Sequence, residues 1–81
     1  MARTFTDKEV MSNAINELRG FTINEISATT DIEKKNELMK RQKLLAFEAK
    51  AVLGSDEVAQ SIQDKVLQLY GPILRKRNGA E

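Results

Sequence analysis

Eighty-one residues, 41% hydrophobic and 31% charged, with one proline and four glycines, bound the chain to one small domain. It holds no cysteine, histidine or tryptophan, which excludes thiolate nucleophiles, imidazole bases, zinc fingers, haem and iron–sulfur ligation. Thirteen basic against twelve acidic residues give net +1, too balanced to argue by itself for a polyanionic partner.

In chain order, the first signal is Phe5-Thr6-Asp7-Lys8-Glu9-Val10, and it recurs as Phe21-Thr22-Ile23-Asn24-Glu25-Ile26. Read as a helix start, the threonine is the N-cap and the glutamate three residues on completes a capping box. The phenylalanine and the Val or Ile then form a hydrophobic staple. The first helix is expected from Asp7 to Arg19, with Val10, Met11, Ala14, Ile15 and Leu18 on one face and Gly20 as a left-handed stop. A short second helix follows from Ile23 to Ala28, with Ile23 and Ile26 facing inward. Thr30 and Glu33 suggest a third capping box, opening a long helix from Asp31 to Leu53 that Gly54 closes. Ser55 caps a fourth, which runs to Tyr70 and is stopped by Gly71-Pro72. Ile73 and Leu74 add one turn before the chain frays.

The expected fold class is therefore all-α, a small bundle of three to four helices with a long third helix at about 31–53. Residues 1–74 form the domain and 75–81 a basic, flexible tail.

At ~1.5 Å per residue, a helix over 31–53 is a rod that crosses the whole domain. Its apolar residues fall on two sides. Leu38, Met39, Leu45, Ala46, Ala49, Val52 and Leu53 make one broad face, and Leu44, Phe47 and Ala51 a second stripe. Either other helices pack on both sides, or the second stripe meets another molecule. On the fourth helix Val58, Ile62, Val66, Leu69 and Ile73 form the main face, widened by Leu67, Tyr70 and Leu74. A lone core below ~70–80 residues rarely supplies more than ~3–5 kcal/mol, so small size favours association. Leu44, Phe47 and Ala51 are the candidate protein interface.

Charge is banded. Residues 1–33 carry net −3, 34–50 net +4, 51–74 net −2 and 75–81 net +2. The candidate polyanion contacts are Lys34, Lys35, Lys40, Arg41 and Lys43 in the belt, and Arg75, Lys76 and Arg77 in the tail. At helical spacing the belt spreads around its helix instead of forming one stripe, and aromatic stacking partners are few. Separately, Thr22–Ile32 resembles the first helix and turn of a helix-turn-helix. Asp31 stands where glycine is expected, and the following helix puts Glu37 and Lys40 at its inward positions, where the motif needs apolar residues.

No phosphate loop, nucleophile elbow or acid/base pair appears. A chain this short is expected to have little room for a small-molecule pocket. The longest apolar runs, Leu44–Phe47 and Ala51–Leu53, are far too short for a bilayer span. The sequence thus implies a non-enzymatic, cytoplasmic interaction module, self-associating through the long helix and acting as regulator, inhibitor or adaptor. It implies no catalytic residue, cofactor, metal, membrane or small-molecule substrate. The alternative is a nucleic-acid-binding regulator using the belt and the tail.

Overall fold

The computed structural model describes residues 7–78, and all its regular elements are helical. They are α1 (Lys8–Ala28), α2 (Ile32–Ala51), α3 (Glu57–Lys65), a π-helical turn (Val66–Tyr70) and α4 (Gly71–Asn78). α3, the π turn and α4 follow without a break, so the chain forms three rods. The all-α expectation holds. The long helix is the second rod and not the third, because the first two expected helices are one.

That fusion overturns the reading of Gly20 and of the second capping box. Gly20 lies inside α1, with open space around the position a Cβ would take and no left-handed backbone. Glycine weakens a helix interior but does not end it where the flanking turns pack. Thr22 caps nothing. It is buried, and its hydroxyl donates to the Leu18 carbonyl one turn back at 2.9 Å. Ile23, expected inward, is exposed, and Ile26 is only half-buried. Residues 22–28 form no separate helix, so the helix-turn-helix resemblance ends here.

The other helix starts are displaced by one residue in a consistent way. The N-caps are aspartates: Asp7 accepts from the Glu9 amide, Asp31 from the Glu33 amide and Asp56 from the Ala59 amide. In each case the hydroxyl residue expected to cap, Thr6, Thr30 or Ser55, is the one before. Aspartate caps at least as well as threonine or serine and adds its charge to the positive end of the helix dipole. Thr6 and the Phe5 staple lie outside the described residues.

Gly71-Pro72 does not end the third rod. Pro72 lacks an amide hydrogen, and its ring crowds the carbonyl four residues back. The turn before it widens, with the Gly71 amide donating to the Val66 carbonyl, and the helix continues to Asn78. The extra residue in that turn displaces the buried register toward the C-terminus. Ile62 and Val66 are buried as expected, but Gly71 and Leu74 then replace Leu69 and Ile73 on the inner face.

α1 and α2 form an antiparallel hairpin across Thr29–Asp31, joined near its open end by the Ser12 hydroxyl donating to the Ala49 carbonyl at 2.7 Å. The third rod runs along this hairpin. At its base the Lys8 ammonium donates to the Gly54 carbonyl, and near its top Arg77 stacks on Phe21. Met11, Ala14 and Ile15 of α1, Leu45, Ala49 and Val52 at the end of α2, and Ile62, Val66 and Leu74 of the third rod make one core. No side chain over 23–37 is buried, so the hairpin tip extends past the core. The outline is flat, 37 × 31 × 16 Å, and the radius of gyration of 13.2 Å exceeds the roughly 12 Å of a compact domain this long.

Candidate interaction groove

The register shift at the π turn leaves Leu69 and Ile73 facing the hairpin from the side instead of filling the core. With Leu18 and Phe21 of α1 and Leu44 and Leu45 of α2, they line an apolar groove of about 350 Å³ bounded by all three rods. Thr22 and Tyr70 complete its walls, and Glu25, Arg41 and Arg77 stand among its lining. Chain length alone suggested little room for such a volume. The π turn makes the room, because it holds two large side chains away from the core they would otherwise plug.

Beneath the groove lies a buried polar cluster that the sequence reading missed. Glu48 is only 2% exposed, yet it sits on the broad apolar face of α2. One carboxylate oxygen accepts from the Lys65 ammonium and the other from the Tyr70 hydroxyl, each at 2.6 Å. Lys65 also lies 5.7 Å from the centre of the Tyr70 ring. Burial, the hydrogen bond to Glu48 and the Glu48 charge all push the Tyr70 phenol well above its ordinary value, against a smaller opposing effect of Arg41. A buried carboxylate needs such partners, and they tie α2 to both sides of the π turn. The spacing of Glu48 within the apolar stripe, three residues after Leu45, was the available signal.

The candidate interface residues divide. Leu44 is 48% and Phe47 58% exposed, whereas Ala51 is half-buried and packs against the core. The two-sided packing of α2 is therefore incomplete: α1 and the third rod cover the face of Leu45, Ala49 and Val52, on which Leu38 is buried too, and leave Phe47 open. Met39 and Leu53, assigned to the covered face, are exposed as well. Phe47 stands one turn along from Leu44, beside the groove and outside its lining.

Of the candidate polyanion contacts, Lys34, Lys35, Lys40, Arg41 and Lys43 are all exposed on α2. Arg75, Lys76 and Arg77 fall on α4, which reaches Asn78; the rest of the expected tail lies outside the described residues. The fold brings Arg41 and Arg77 to the same groove and leaves Lys40 and Lys43 on another side of α2. Arg77 lies 4.3 Å over the Phe21 ring. Among the described residues no group of three or more acidic side chains is placed to hold a metal ion. No helix among them is long and apolar enough to cross a membrane.

No protein-family model matches the chain, and neither a curated protein nor a solved structure matches it.

Proposed function

We propose that this chain is a non-enzymatic protein-interaction module that acts by occupying a surface, and that it self-associates through the Leu44–Phe47 side of α2. The observation that carries the reading is the exposure of Phe47 and Leu44, two large apolar side chains on neighbouring turns of a helix whose opposite face is in the core. Covering a large apolar side chain is worth ~1.5–3 kcal/mol when complete, and roughly half of that is still available at each. A small, flat molecule with an unsheathed helix face gains stability by pairing it. Regulator, inhibitor and adaptor are all forms such surface occupancy takes.

Light scattering across a concentration series, with and without nucleic acid, tests the reading. Mass should rise with protein concentration, persist at high salt and return to that of one chain in Phe47→Glu. A chain that stays single at every concentration would remove self-association. A mass gain that needs nucleic acid, falls steeply with salt and survives Phe47→Glu would replace this function with polyanion binding through the basic residues.

A further inference from the structure

We propose that the three-walled groove is a binding site for a small amphiphilic anion of the medium-chain monocarboxylic acid class. Its hydrocarbon body would lie against Leu18, Phe21, Leu44, Leu69 and Ile73, with its carboxylate toward Arg41 and Arg77. Three observations converge on that ligand. The volume, about 350 Å³, stands at the small end of the ~300–1,000 Å³ range of small-ligand sites, and the walls are hydrocarbon. Two guanidinium groups line it, and neither has a carboxylate partner among the described residues, although Glu25 lines the same groove. Two positive groups against one negative favour an anionic head, and a guanidinium receives a carboxylate with two parallel hydrogen bonds.

The third observation is the π turn itself. Such turns occur frequently at functional sites. Here the turn holds Leu69 half-exposed at the groove, where a regular helix would bury it. The site shares Leu44 with the self-association reading, but Phe47 does not line the groove, so a change at Phe47 separates the two.

Tyr70 makes the test direct. It is the single tyrosine of a chain with no tryptophan, and it forms part of the groove wall, so intrinsic fluorescence reports the site alone. The full chain is titrated with decanoate below its micelle concentration, and in parallel with decanol and decylammonium. Decanoate should give a saturable response of one ligand per chain, with methyl shifts at Leu18, Leu44, Leu69 and Ile73. Its affinity should exceed that of the neutral and cationic analogues by about tenfold or more. The double variant Arg41→Gln/Arg77→Gln should remove that preference, bringing decanoate to the affinity of decanol. Glu25→Gln should tighten decanoate binding without touching the fold. Equal affinity for the three amphiphiles overturns the proposal, and so does the lack of a saturable response. A response seen only with micelles or with phosphatidylglycerol vesicles assigns the groove to a lipid surface and overturns it too. Phe47→Glu should leave decanoate binding intact, so this site and the self-association reading fail separately.

Discussion

Removing Lys65 should destabilise the protein more than removing Glu48, although the two are partners in one ion pair. Glu48 is 2% exposed, whereas the Lys65 side chain is 37% exposed. In Lys65→Met the carboxylate stays buried with only the Tyr70 hydroxyl as partner. Breaking a fully buried pair costs ~3–5 kcal/mol, and the exposure of Lys65 lowers the expected loss to about 2–3 kcal/mol. In Glu48→Met an adaptable apolar side chain takes the carboxylate's place, the Lys65 ammonium turns to solvent, and the Tyr70 hydroxyl lies near enough to the surface to find water. That change should cost about 0–1 kcal/mol. Tyr70→Phe keeps the ring against the core and loses one hydrogen bond to a charge, about 1.5–2 kcal/mol. At roughly 4–8 °C per kcal/mol for a domain this size, Lys65→Met should lower Tm by about 10–20 °C and Glu48→Met by less than about 8 °C. Urea unfolding with a common m-value measures all three. An equal or larger loss in Glu48→Met would refute the reasoning, because it would mean that the ion pair is a net source of stability and not a satisfied cost of burial.

Three further predictions follow from the same geometry. Gly20→Ala should raise stability by about 0.5–1 kcal/mol, since the added methyl enters open space inside a helix; a loss on thermal unfolding would restore Gly20 as a helix stop. Thr22→Val should change stability by no more than about 0.5 kcal/mol, while Asp31→Ala, which removes a true N-cap, should cost about 1 kcal/mol. The raised Tyr70 phenol takes up its share of pH dependence above 10, the ordinary tyrosine value: the unfolded chain loses that proton first, so stability holds below 10 and declines as pH rises further. Urea midpoints of the wild-type chain should therefore fall more steeply than those of Tyr70→Phe above pH 10, and parallel curves would contradict it.

The helical class and most of the faces of α1 and α2 that enter the core were legible in the sequence, because each follows from a period of 3.6 residues; the same period set Leu44, Phe47 and Ala51 on a second stripe and left open what covers it. Met11, Ala14 and Ile15 on α1, and Leu38, Leu45 and Ala49 on α2, are buried as that period requires. The errors occur where a local signal met a tertiary demand. Phe21-Thr22 reads as a helix start, yet Phe21 packs against the core and under Arg77, which holds α1 helical through the glycine. At three helix starts the cap lies one residue beyond the hydroxyl that the sequence offers, since a hydroxyl and an aspartate side by side compete for one position. The groove was not legible at all, because its third wall depends on a π turn that shifts the inward register of Leu69, Ile73 and Leu74.

Composition and length alone removed cysteine and histidine chemistry, and periodicity alone made the chain a set of amphipathic helices with more apolar surface than a minimal core consumes. Those properties belong to covalent structure and to the fixed geometry of the helix, so no neighbour changes them. Which helices fuse, whether Gly71-Pro72 ends a rod or widens it, and which basic residues share a site were decided only by packing. The net charge of +1 is the clearest instance. As a sum it excluded nothing specific, and as a band pattern it suggested a belt and a tail. Folding brings one arginine from each to a single apolar groove, because the third rod runs back along the hairpin and sets Arg77 over Phe21 on the groove that Arg41 also lines.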